Sequence, residues 1–114
     1  MSEDCLFCKI VSKEVPSDVV HENDTVLVFR DINPAVPTHV LAIPKEHISS
    51  ADDLTGAHGA LLGELFETLA RVAGDEGLDG NYRIVTNVSS GAGQSVFHLH
   101  LHLLGGRSLS WPPG

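Results

Sequence analysis

Three histidines alternate with leucines near the C-terminal end of the chain, in His98-Leu99-His100-Leu101-His102-Leu103-Leu104. Successive side chains of a β-strand point to opposite faces, so the three imidazoles would share one face, about 6.6 Å apart along the backbone. Phe97, Leu99, Leu101 and Leu103 would take the other face and enter a core. An imidazole titrates near neutrality and serves as nucleophile, general base or proton carrier. The same row would also suit a metal site, or surface histidines on an edge strand. Spacing alone leaves these three readings open, and the rest of the chain has to decide.

Just before the row lies Ser89-Ser90-Gly91-Ala92-Gly93-Gln94-Ser95. Its glycines permit unusual backbone angles and close approach of a ligand. Exposed amides in such a turn cradle anions, and Ser95 stands three residues before His98. A hairpin turn would have the same composition, but next to three histidines the loop points to phosphate. Two cysteines, Cys5 and Cys8, make a C-x-x-C pair. At knuckle spacing they offer two soft ligands, and a Cys₂His₂ zinc site needs two histidines more. Two free thiols in a reducing compartment is the plainer reading. Redox chemistry is disfavoured because the βαβ context of a thioredoxin-like motif is missing.

These groups must be positioned by a small chain. Its 114 residues fit one domain over 1–114, with 42% hydrophobic and 19% charged residues. A net charge of −8 argues against nucleic acid as a partner, which is bound through an excess of Lys and Arg. It leaves room for a small phosphate ligand, since screening confines charge effects to about 8 Å. No apolar run reaches the ~20 residues that span a bilayer, and Met1-Ser2-Glu3-Asp4 lacks the basic and apolar parts of a secretory signal. No membrane partner and a cytoplasmic location are expected.

Cys5 to Ser12 reads as a short helix or turn. Val19–Glu22 and Thr25–Phe29 read as strands joined by a turn, and His39–Pro44 as a third strand. Apolar residues at 61, 62, 65, 66, 69, 72 and 73 predict an amphipathic helix within 57–73, with Gly74 as its stop. Tyr82–Val88 and Phe97–Leu104 read as the last two strands. Strands joined by short loops predict an α+β domain, a five-stranded antiparallel sheet with one long helix on one face and one short helix.

Taken together, the motif His-φ-His-φ-His-φ-φ at 98–104 resembles the histidine triad (HIT) superfamily. The resemblance extends to Asp31-Ile32-Asn33-Pro34, Pro37-Thr38-His39, Ile43-Pro44-Lys45, Gly93-Gln94-Ser95, Gly105-Gly106-Arg107 and Trp111-Pro112-Pro113-Gly114. The last segment resembles the histidine triad nucleotide-binding branch in particular. The resemblance implies hydrolysis of purine nucleoside 5′-phosphoramidates through a nucleotidyl-histidine intermediate, with no cofactor in the reaction. It also implies a homodimer whose sheets join into one, with the helix at 61–73 in the interface.

By the same resemblance His100 is the nucleophile, His102 and the loop around Gly93 and Gln94 stabilise phosphoryl charge, and Ser95 contacts the leaving amine. His98 orients its neighbours. Asp31 accepts from the ribose hydroxyls, Phe29 and Ile32 (with Ile10 a weaker member) line the base slot, and Asn87 lies beside the phosphate. A structural zinc is implied at Cys5, Cys8, His39 and His98, although His39 also reads as a plain structural partner of His98. His21, His47 and His58 are expected at the surface without a role. Two other functions compete: a dinucleoside-polyphosphate hydrolase or nucleotidyl transferase, and a zinc-stabilised nucleotide-binding or interaction module without turnover.

Overall fold

The computed structural model describes residues 4–114, so Met1-Ser2-Glu3, on which the reading of the N-terminus partly rests, lie outside the described residues. The elements in chain order are helix α1 (Leu6–Val11), strands β1 (Val19–Glu22), β2 (Val26–Arg30) and β3 (Thr38–Pro44), helix α2 (Gly59–Asp75), and strands β4 (Tyr82–Val85) and β5 (Leu101–Gly105). The sheet order is β1-β2-β3-β5-β4, with every neighbouring pair antiparallel. The α+β architecture with one long and one short helix is as expected.

Local chemistry accounts for the joints. The β1–β2 turn is held by Asn23, whose Oδ1 accepts from the amides of Thr25 (2.9 Å) and Val26 (3.0 Å). Thr55 and His58 form a capping box on a short 3₁₀ turn that leads into α2. The helix runs past Gly74 and stops where Gly77 takes a φ of 73°. The stop thus lies three residues later than expected, because Gly77 and not Gly74 adopts the left-handed conformation that ends a helix.

Both faces of the central strands are covered. Val26, Val28, Val40, Ala42, Leu101 and Leu103 pack with Leu65, Leu69 and Val72 of α2. Leu27, Phe29, Leu41 and Ile43 point the other way and pack with Cys5, Phe7 and Ile10 of the α1 segment. That burial on both sides explains why β2 and β3 read as continuous apolar runs and not as alternating ones. Leu99, Leu101 and Leu103 face α2, which sends the three histidines to the α1 side.

The sheet is shorter at one end than the sequence suggests. The β3–β5 ladder stops at the Ala42–Leu101 pair. Beyond it the Leu99 amide donates to Ile48 O (2.6 Å) and the His98 ring bonds Pro44 O (2.8 Å). His98 and His100 therefore sit on an irregular lead-in to β5, and Phe97, expected in the core, is 53% exposed. Strand β4 ends at Val85 in the same way, since the Thr86 hydroxyl takes over by donating to His100 O (2.8 Å). No helix among the described residues is long and apolar enough to cross a membrane.

Candidate active site and metal centre

The three histidines each have one ring nitrogen committed, and each commitment differs. His98 Nε2 lies 2.8 Å from Pro44 O and His100 Nδ1 lies 2.7 Å from His98 O. A carbonyl can only accept, so each of those nitrogens carries the proton. His98 is left with a lone pair on Nδ1 and His100 with one on Nε2. His102 Nδ1 instead meets His39 Nε2 at 3.0 Å. His39 Nδ1 accepts from the Ala35 amide (3.0 Å), so a neutral His39 is protonated on Nε2 and donates to His102. His102 then carries its own proton on Nε2. A bare lone pair at His100 beside an N–H donor at His102 is the complement of a phosphorus centre and its oxygens.

Burial holds the pKa of all three below the ordinary imidazole value. For His102 the value is pushed down to about 4, by burial first and then by its neighbours His100 and His39. Burial lowers the His100 value despite its bond to His98 O and the charge of Asp31, both of which favour the protonated ring. The nucleophile candidate is therefore held neutral.

His100 and His102 open onto a cleft of about 760 Å³ between α1 and the end of β2. The cleft is lined by seven of the expected site residues, Ile10, Phe29, Asp31, Ile32, Ser95, His100 and His102, and by Leu6, Phe7 and Leu41, which the sequence reading did not single out. Phe7 packs edge-on to Phe29 (5.4 Å) and to His100 (5.0 Å). Asp31 uses Oδ1 to accept from the Asn33 amide (2.8 Å), the bond of an Asx turn, and its Oδ2 stands 3.4 Å from His39 Nε2. Among the described lining residues the one permanent cation is Arg30, and Glu76 holds its guanidinium through bonds of 3.0 and 2.9 Å. Anion recognition in this cleft therefore falls to neutral donors.

Gln94, Gly93 and Asn87 do not line the cleft. The Gln94 side chain is buried and spent on backbone: its Oε1 accepts from Ser89 N (2.8 Å), and its Nε2 donates to Ser49 O (2.8 Å) and Val96 O (3.0 Å). Its side chain thus holds the loop and is not directed at the cleft. Gly93 has a φ of 103°, with the Asn87 carboxamide packed beside it. Ser95 remains exposed at the cleft edge.

Behind His98, Cys5 Sγ and Cys8 Sγ lie 3.4 and 3.5 Å from His98 Nδ1. His47 Nδ1 lies 3.3 Å from Cys8 Sγ and 3.2 Å from His98 Nδ1. A tetrahedral zinc with bonds of about 2.0–2.3 Å spaces its ligands about 3.3–3.8 Å apart, which these separations match. The His98 tautomer leaves the correct nitrogen free, with Pro44 O as its outer partner. The set is thus Cys5, Cys8, His47 and His98. His39, expected as the fourth ligand, stands elsewhere. Antiparallel register sets Leu41 opposite His102, so His98 falls near Pro44, five residues and about 16 Å along β3 from His39. His47, expected at the surface, is half-buried; the cue was its place three residues after Pro44, where the chain leaves β3. His21 and His58 are half-buried too, and His58 Nδ1 accepts from Thr55 N (2.9 Å).

Comparison with known proteins agrees with this geometry. The family model of the HIT domain matches residues 12–109. An uncharacterized HIT-like protein of Synechococcus elongatus is 52% identical over 114 residues, all of both chains. A 14 kDa zinc-binding protein of Brassica juncea is 50% identical over 97% of this chain and all of its own. The crystal structure of a HIT family hydrolase from Legionella pneumophila superposes with a TM-score of 0.95 at 50% identity, covering 97% of this chain and 100% of that one. The chain belongs to the HIT family.

Proposed function

We propose that this protein hydrolyses purine nucleoside 5′-phosphoramidates, compounds in which a nucleotide is joined to an amine through a P–N bond. The observation that carries the reading is the bond from His100 Nδ1 to His98 O, which leaves a neutral Nε2 lone pair beside the His102 donor at the cleft. His100 Nε2 forms a bond to phosphorus as the P–N bond breaks, and the amine leaves past Ser95 with a proton taken from solvent at the open cleft, which the water of the second step gives back. Water then attacks phosphorus, the bond to His100 breaks, and the nucleoside monophosphate departs. His102 and the end of the glycine loop at Ser95 hold the phosphoryl oxygens. Asp31 accepts from the ribose hydroxyls, while Phe29, Ile32 and Ile10 flank the base.

Zinc would be held by Cys5, Cys8, His47 and His98 and would have a structural part only. It would tie α1, which carries Phe7 and Ile10 of the cleft wall, to the residue whose carbonyl holds His100. Two relatives bearing the name 14 kDa zinc-binding protein support this. A homodimer is supported by β4 at the edge of the sheet and by Phe66, 48% exposed on α2. One domain over 1–114 and a cytoplasmic location complete the reading.

Single-turnover hydrolysis of an AMP-linked fluorogenic amine tests the proposal. Fast release by the wild type and loss of several orders of magnitude in His100→Ala is the expected result. An inert wild type that still binds AMP would instead favour a binding module. Faster cleavage of diadenosine polyphosphates than of AMP-amines would assign the protein to the dinucleotide hydrolases.

A further inference from the structure

We propose that His39 is a positioning residue that links the Asp31 carboxylate to His102, so that occupation of the sugar site sets which nitrogen of His102 carries its proton. The inference rests on reading the cleft as a nucleotide site. It begins with a proton that has two acceptors. The Ala35 amide donates to His39 Nδ1 at 3.0 Å, which confines the proton of a neutral His39 to Nε2. From there His102 Nδ1 lies at 3.0 Å and Asp31 Oδ2 at 3.4 Å.

By distance alone, Asp31, His39 and His102 would also make a three-ligand metal site. The bond from Ala35 argues against it. A metal on His39 Nε2 would need that lone pair while Nδ1 still accepted an amide, which leaves the ring with no proton at all. Metal-bound histidines keep a donor on the second nitrogen. The cluster is a hydrogen-bond relay.

Competition within the relay makes it responsive. Asp31 Oδ1 already accepts from the Asn33 amide and Oδ2 is the oxygen that faces His39, so ribose hydroxyls that bond Oδ2 draw on the same negative charge as the His39 proton. With the sugar site empty, the carboxylate at 3.4 Å competes with His102 Nδ1 at 3.0 Å for the His39 proton and weakens the bond to His102. The Nε2–H tautomer of His102 is then favoured but not enforced. When the ribose hydroxyls donate to Oδ2, the proton of His39 is left to His102 Nδ1, and His102 must present Nε2–H to the cleft. Sugar recognition thereby prepares the phosphate site, and an interaction with a remote part of the substrate acts on the chemical step.

The test is ¹⁵N NMR of the histidine rings with AMP and with 2′,3′-dideoxy-AMP, alongside turnover of the matching amine conjugates. AMP should shift His102 wholly to the Nε2–H tautomer, and dideoxy-AMP should leave a mixture. In His39→Asn the amide oxygen still serves Ala35 but no donor reaches His102, so the mixture should persist with AMP. His39→Gln places an amide donor near the lost Nε2 and should restore the single tautomer. For the wild type, losing the diol should raise KM and also lower kcat by roughly tenfold, the weight of one charge-assisted hydrogen bond. In His39→Asn only the KM effect should remain. A His102 tautomer indifferent to the diol, which is read without any variant, would overturn the inference. So would a kcat ratio between the two conjugates that is unchanged in His39→Asn. Should the wild type cleave neither conjugate, the hydrolase reading fails, and the tautomer comparison still decides this one.

Discussion

Pro44 and His98 meet at the end of the sheet, where His98 Nε2 donates to the Pro44 carbonyl at 2.8 Å. That bond turns the Nδ1 lone pair of His98 toward Cys5 and Cys8, while the carbonyl of the same residue accepts from His100 Nδ1 at 2.7 Å. The side chain of His98 therefore belongs to the cysteine cluster and its main chain to the nucleophile. Anything that moves the cluster moves the group that sets the tautomer of His100.

The first prediction separates His47 from His39. Protein purified without chelator should carry about one zinc per chain, as one four-ligand site requires. His47→Ala should lose most of it and melt well below the wild type, since structural zinc contributes folding free energy directly. His39→Asn should keep its metal. Elemental analysis of the three proteins decides the matter, and a His47→Ala protein with full zinc would remove that residue from the set.

Gln94 is expected to matter more for the loop than its solvent-shielded side chain suggests. Its carboxamide satisfies the Ser89 amide and the Ser49 and Val96 carbonyls. Gln94→Ala leaves three part-buried backbone groups without these partners, at a cost of about 1–3 kcal/mol. Urea titration should show this loss, and turnover should fall as Ser95 loses its support. Unchanged stability would mean that water replaces the carboxamide.

Much of this site is legible in the sequence, because alternation is a strong signal. The leucines at 99, 101 and 103 forced three histidines onto one face, and the structure keeps them there. Alternation does not say where a ladder stops. Phe97 continues the pattern and is nevertheless exposed, since β3 ends at Pro44 and offers no further partner. The histidine beside the cysteines could have been reached by register: antiparallel pairing of β3 with β5 runs His98 toward residue 44 and away from His39. Motif order along the chain carries no such distance. The direction of the relay through His39 depends on one amide, that of Ala35, which no pattern of residue types reveals.

Phe7 joins the two sites, and truncating it should damage both. Its buried ring lies edge-on to Phe29, His98 and His100, at 5.4, 6.1 and 5.0 Å between centroids. Phe7→Ala should cost about 3 kcal/mol through lost burial and the cavity left behind. KM for a nucleotide conjugate should rise as the cleft wall recedes, while Phe7→Leu should recover most of the stability. Denaturant melts and initial rates together test this, and a stability loss without any change in KM would remove Phe7 from the wall.

Acid sensitivity should trace to His102. The ring is faced by His39 from β3, by His100 before it in the chain and by Asp31 at the end of β2, and its pKa is pushed down to about 4. Above pH 6.5 the imidazole is neutral in the folded and unfolded chain alike, so its contribution to stability is fully present. Between 6.5 and about 4 the unfolded chain binds a proton that the folded one refuses, and stability falls as the pH falls. Below about 4 both forms bind it and the loss is complete, at most roughly 3 kcal/mol for a shift of this size. His102→Gln keeps a donor near Nε2 but does not titrate. Melting curves from pH 7 to 4.5 should therefore slope less steeply for the variant, while protonation of the cysteine cluster affects both proteins equally and cancels in the difference. Parallel slopes would mean that His102 titrates in the fold as it does in water, and the neutral donor assigned to it would have to be abandoned.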